Sequence, residues 1–266
     1  MRVFLVGLVS LSLAASLAAQ TRGTPNLVLT MYAGAGNGHA LWDIGRQTLV
    51  YSDPNGGLTT RDTVRLGRRV NSSIVLGASM GLFSSARWGF SLDLAYRGFS
   101  FDDECVPIYL QADATGGTNQ RLCDNITASA NGGSVFAVTA GTVLRMASSR
   151  AVSPYLRGAV SVAHTTISTI AMAEPDAVGG EARYVIVDDK PRRISVNPVL
   201  AGGLTTSLGP GYQLRIEVRD ELAFIERLDG PANALGVGPM SVSGFQHFSL
   251  IIGLDVVLEQ KRVRRY

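Results

Sequence analysis

The chain has 266 residues, 46% of them hydrophobic, and 24 Lys and Arg against 21 Asp and Glu give a formal net charge of +3. Charges of both signs are interspersed, which excludes a nucleic-acid tract; only Lys261-Arg262-Val263-Arg264-Arg265 is concentrated, and it reads as a solvated basic tail over residues 259–266. The three histidines lie far from the two cysteines, so neither a metal nor a cofactor is expected.

The N-terminus carries Arg2, an apolar run from Val3 to Leu13 and the small-residue stretch Ala14-Ala15-Ser16-Leu17-Ala18-Ala19. This predicts a signal peptide over residues 1–19, cut after Ala18 or Ala19. The run falls short of the roughly 20 apolar residues of a spanning helix. No later apolar run is long enough either, and a period of two governs the mature chain.

The first strand is predicted over 27–33. It leaves through Gly34-Ala35-Gly36-Asn37-Gly38, which lacks the lysine and helix of a phosphate-binding loop. Residues 74–82 place Ile74, Leu76, Ala78, Met80 and Leu82 on one face, and residues 88–97 continue with large apolar side chains at even positions. Cys105 and Cys123 follow in a Gly- and Asp-rich stretch; in an exported chain they are expected to form a loop-stapling disulfide. The triplets beginning at Asn71 and Asn125 would be glycan acceptors only in a eukaryotic secreted protein. Further strands are predicted over 136–146, 156–162 and 194–204. The sharpest alternation is Tyr212-Gln213-Leu214-Arg215-Ile216-Glu217-Val218-Arg219, and the last strand sets Phe248, Leu250, Ile252, Leu254, Val256 and Leu258 in a row. The count is eight.

Links near residues 84–86, 148–150 and 209–211 are tight and rich in Ser, Gly and Pro. Links over 34–71, 102–133, 171–193 and 226–244 are long. An even strand number, with short turns on one rim and long loops on the other, is the pattern of an antiparallel transmembrane barrel. A soluble sandwich or lipocalin-like barrel would show the same alternation with the faces inverted. Small residues on the polar face suit a narrow interior. Trp88, Phe90, Tyr96, Tyr212, Phe224, Phe245 and Phe248 fit interfacial girdles on a lipid-facing surface.

Residues 20–258 are therefore read as one all-β domain, an eight-stranded up-and-down transmembrane β-barrel. Pro154-Tyr155-Leu156-Arg157-Gly158, opening a strand after a short turn, and the closing strand from His247 to Leu258 with Gly253, Val256 and Leu258, resemble the bacterial outer-membrane β-barrel domain family, the small OmpA-like barrels, here without a periplasmic domain. Ile251, where that family usually has a polar residue, and the tail to Tyr266 depart from it. The resemblance implies an integral outer-membrane protein with short periplasmic turns and long extracellular loops. Its implied partners are the barrel-assembly machinery, outer-membrane lipid and lipopolysaccharide, and a monomer is expected.

If even positions face lipid in these strands, Asp93, Arg97, Arg145, Arg157, Arg215, Glu217, Arg219 and Asp255 share the lumen. Buried charges need partners, so a salt-bridged network is expected, and with it a non-enzymatic structural or surface-interaction role. Five arginines against three acids leave open a narrow channel that prefers anions. His247 and Ser249, two apart on one face, with Glu259 downstream, resemble the lipid A deacylases, in which histidine activates serine; that chemistry needs the pair to face lipid, whereas the alternation turns it inward.

Overall fold

The computed structural model describes residues 26–52, 58–109, 118–128, 132–146, 152–174, 183–233 and 235–258. The predicted signal peptide, the basic tail and the tight turn at 148–150 lie outside them.

Eight strands close into a ring: β1 (Asn26–Gly36), β4 (Ser73–Phe83), β5 (Trp88–Tyr109), β6 (Gly132–Arg145), β7 (Val152–Thr165), β10 (Ile194–Gly209), β11 (Tyr212–Leu228) and β12 (Met240–Leu258). Each pairs antiparallel with the next in this order, and β1 pairs with β12 from Leu27↔Leu258 to Gly36↔Ser249 to complete the ring. No sheet edge remains at the level of the ring, and its strands pair on both sides.

The period of two in sequence becomes a period of two in exposure. Glu217 is 1% exposed, whereas its neighbours Ile216 and Val218 are 43% and 54% exposed. In β12, His247, Ser249, Ile251 and Asp255 are buried while Phe248, Leu250, Ile252 and Leu254 lie outside. A soluble barrel would have these faces inverted. A continuous apolar exterior around a closed, charged interior is stable only in hydrocarbon, and the fold is a transmembrane β-barrel. Among the described residues no helix is long and apolar enough to cross a membrane; the strands cross.

On the short-turn rim, the Ser85 hydroxyl accepts from the Trp88 backbone N–H at 3.0 Å between β4 and β5. Between β10 and β11, Gly211 takes φ 78°, a left-handed conformation that favours glycine, and its carbonyl accepts from the Val257 N–H at 2.8 Å. Trp88 and Tyr212 are exposed at the first positions after these turns, where an aromatic girdle belongs. Tyr96 and Phe136 form an exterior pair further up, with ring centroids 5.0 Å apart.

On the opposite rim the links expected as long loops hold regular structure of their own. The link over 34–71 holds a hairpin, β2 (His39–Ser52) and β3 (Leu58–Val70), and β3 pairs with the outer half of β5, from Val70↔Phe101 to Thr63↔Tyr109. Helix α1 (Thr118–Ala128) follows, and β8 (Met172–Glu174) pairs with β9 (Arg183–Ile186). Helix α1 buries Leu122, Cys123 and Ile126 and turns Gln120 and Asp124 outward, where they hydrogen-bond at 2.9 Å. Together these pieces form a cap with its own core, built on Leu41, Trp42, Leu66, Phe101, Ile126 and Met172. The Cys105–Cys123 disulfide ties α1 to β5 as expected. The buried pair Arg68–Asp103 is bidentate at 2.7 and 2.7 Å, and the Arg68 guanidinium lies 4.6 Å from the Phe101 ring centroid. Gln47 binds the backbone of Ala232 in both directions, at 3.1 and 2.7 Å, fixing the hairpin to the segment after β11.

Candidate functional site

The lumen is filled in layers. Nearest the short-turn rim, Val28, Phe83, Val143 and Tyr155 form an apolar cluster. Arg145 belongs to this level. Its guanidinium lies 3.5 Å from the Phe83 ring centroid, so it answers a π face and not a carboxylate.

Above it lies the ionic layer. Arg157 Nη1 donates to Asp93 Oδ2 at 2.7 Å, and Arg219 Nη2 donates to the same oxygen at 3.0 Å. Arg219 also grips Glu217 Oε1 through Nε at 3.0 Å and Nη2 at 2.9 Å. Arg215 holds Asp255, Nε to Oδ1 at 2.9 Å and Nη2 to Oδ2 at 3.0 Å, and stands 4.0 Å from Glu217. Hydroxyls complete the carboxylate shells: Tyr32 donates to Asp93, Tyr155 to Glu217 at 2.7 Å and Thr30 to Asp255 at 2.8 Å. Both tyrosines lie across glycines. A Cβ at Gly77 would come within 2.3 Å of the Tyr32 hydroxyl oxygen, and one at Gly203 within 2.7 Å of that of Tyr155. Glycine there lets a phenol cross a narrow lumen.

A further pair lies towards the cap. Arg97 Nη2 donates to Glu221 Oε2 at 2.5 Å, and Asn197 Nδ2 donates to Glu221 Oε1 at 2.7 Å. The ionic layer thus sets four arginines, Arg97, Arg157, Arg215 and Arg219, against four carboxylates, Asp93, Glu217, Glu221 and Asp255. The arginine excess expected from the sequence shrinks to one: Glu221 joins the network, and Arg145 stays in the lumen but sits below the ion pairs against Phe83. Asp93 and Asp255 are 0% exposed and Arg157 1%. Charges lining a water column would be wetted, so these values describe a plug.

Between plug and cap lies a chamber of about 60 Å³ lined by His39, Ser73, Arg97, Phe99, Phe101 and His247. His39 stacks on Phe245 with centroids 5.1 Å apart, which places Phe245 inside and not on an exterior girdle. His39 lies on β2, outside the membrane-spanning ring; burial and the nearby Arg97 guanidinium hold its pKa below the usual 6.5. His247 and Ser249 share the lumen face, buried, as the alternation requires. The hydroxyl near His247 is that of Ser73, with Oγ 3.5 Å from Nε2, and not that of Ser249. Glu221 pairs with His247 in register, but its carboxylate is taken by Arg97 and Asn197. Glu259 lies outside the described residues. The pair faces away from lipid, where the deacylase reading needed it.

The sequence held signals for what was missed. Glu221 continues the odd-numbered inward series Arg215, Glu217, Arg219 two residues past the predicted end of the strand. Tyr32 lies inward because β1 has the opposite parity, with Val28 and Tyr32 buried and Leu29 and Met31 exposed. Ile251, which departs from the family pattern, packs in the lumen with Tyr32 and Val75.

No protein-family model and no curated protein matches the chain. Among solved structures, 46 chains match. They include the outer membrane protein OprG from Pseudomonas aeruginosa, 11% identical with a TM-score of 0.47, covering 91% of this chain and 99% of that one. Neisserial surface protein A is 11% identical with a TM-score of 0.42, covering 88% and 99%. Ail, the attachment invasion locus protein of Yersinia pestis, is 10% identical with a TM-score of 0.36, covering 89% and 100%. The fold rests on this chain's own register and face polarity, not on these likenesses.

Proposed function

We propose that this protein is a non-enzymatic outer-membrane barrel, exported with loss of residues 1–19, whose working surface is its disulfide-stapled cap. The short turns face the periplasm and the cap faces outward. The barrel inserts through the barrel-assembly machinery, stands as a monomer among outer-membrane lipid and lipopolysaccharide, and does not bind nucleic acid.

The observation that carries this reading is the sealed lumen. Among the described residues, four balanced ion pairs, an apolar cluster below them and a packed cap above fill the lumen, so the exterior of the cap is the surface that supports contact with soluble molecules. Leu235, between β11 and β12, is 77% exposed on the capped rim and suits a label. Because Cys105 and Cys123 are bonded to each other, a Leu235→Cys variant offers a single free thiol. A membrane-impermeant maleimide should label it on intact cells. Labelling only after the outer membrane is breached would overturn the orientation and the surface role with it.

A further inference from the structure

The exterior of the barrel is not uniformly convex. A depression of about 600 Å³ lies on the lipid face just below the capped rim, walled by Leu76, Leu94, Tyr96, Phe136, Val138 and Ile194. Its floor is strand backbone: Gly77, Ala95 and Ala137 pair in register across β4, β5 and β6 and belong to the inward-facing set, so between the flanking apolar side chains they present only main chain to the lipid face. From Leu76 on β4 to Ile194 on β10 it crosses five adjacent strands, about 19 Å at the usual spacing of about 4.8 Å. That is wider than one extended hydrocarbon chain.

Its upper margin is cationic. Phe136, His164 and Ile194 lie side by side in register, all exposed, so the His164 imidazole borders the depression. Arg192 and Arg193 immediately precede Ile194 and are exposed. Arg192 Nε donates to the Ile194 carbonyl at 3.3 Å, and Arg193 Nη1 donates to the Thr166 carbonyl. These bonds hold both guanidiniums at the rim. Among the described residues neither forms an ion pair. The neighbouring carboxylate, Glu226, accepts the Arg192 backbone N–H at 2.9 Å. A wide apolar depression beneath two pinned and unpaired arginines complements a ligand with several acyl chains and a phosphate at their head.

We propose that this depression seats the acyl chains of a phosphorylated glycolipid of the outer leaflet, with Arg192 and Arg193 taking its phosphate. The site rests on the orientation in which the capped rim faces outward.

The test uses the full mature chain refolded into neutral phosphatidylcholine bilayers, where heat-modifiable migration reports barrel formation independently of the glycolipid. Purified lipopolysaccharide and, separately, phosphatidylglycerol are added, and retained lipid is read by native mass spectrometry. Lipopolysaccharide should be retained in preference to phosphatidylglycerol. Arg192→Glu/Arg193→Glu should weaken retention by about tenfold or more, the factor that about 1.4 kcal/mol gives. Arg69→Glu/Arg121→Glu makes the same charge change at exposed positions elsewhere on the cap and should leave retention unchanged. Equal retention of both lipids, equal loss in both double variants, or no retention by a correctly folded barrel would each overturn the site. Failure to form a heat-modifiable barrel, or periplasmic labelling of Leu235→Cys, would instead overturn the reading beneath it.

Discussion

Arg219 touches two carboxylates at once, Asp93 and Glu217, and lies over the Tyr32 ring. Replacing it with leucine removes one partner from each pair and leaves two acids together in a dry lumen. Such a loss costs about 3 to 5 kcal/mol, whereas removing both members of a buried pair costs far less. Urea titration of the protein in lipid vesicles should show Arg219→Leu strongly destabilised, with Arg219→Leu/Glu217→Leu recovering most of the loss. In the double variant Asp93 keeps Arg157 and the Tyr32 hydroxyl. If the double variant were as unstable as the single one, the network would not be a balanced plug.

At the scale of elements, the cap and the ring respond to different disturbances. The disulfide closes a separation of 18 residues between β5 and α1; in the chain-entropy model a staple of this size contributes about 3 kcal/mol. Cys105→Ser/Cys123→Ser should therefore raise hydrogen exchange and proteolysis in α1 and the outer half of β5, while the ring keeps its heat-modifiable migration. Loss of the ring along with the cap would show that the two fold as one unit. His39 adds a pH dependence at the same junction. Its imidazole is surrounded by Arg97, His247 and the Phe245 ring, and burial first and Arg97 second lower its pKa from 6.5. Below that value an opened cap binds a proton that the closed cap excludes, so closure weakens as pH falls beneath about 6.5 and is undiminished above it. Exchange rates in β2 and β3, measured above and below that pH, should show the change, and His39→Phe should flatten it while keeping the stack. These elements also mark the limit of what the sequence reveals. The eight ring strands are legible because lipid on one side and a polar lumen on the other enforce strict alternation. The β2–β3 hairpin escapes because bulges at Ala40/Trp42 and Ile44/Gln47 break its period, and because a cap with its own core need not alternate. The lumen charges follow from parity, but the cation–π partner of Arg145 does not: Phe83 reaches it only through the register of β4 and β5 and then of β5 and β6.

The whole molecule is a hydrocarbon-facing shell around a filled axis, and the proposed function requires that nothing pass along that axis. An apolar cluster, the ionic plug, the small chamber and the cap core lie in series from one rim to the other. In the ionic layer four arginines are matched to four carboxylates, and Arg145, the fifth lumenal arginine, is held against the Phe83 ring. Recording from planar lipid bilayers, with insertion verified by heat-modifiable migration, tests this most directly. The sealed lumen predicts inserted protein with no stepwise current in concentrated salt, at either polarity. Reproducible unitary currents, above all currents with anion selectivity, would contradict it.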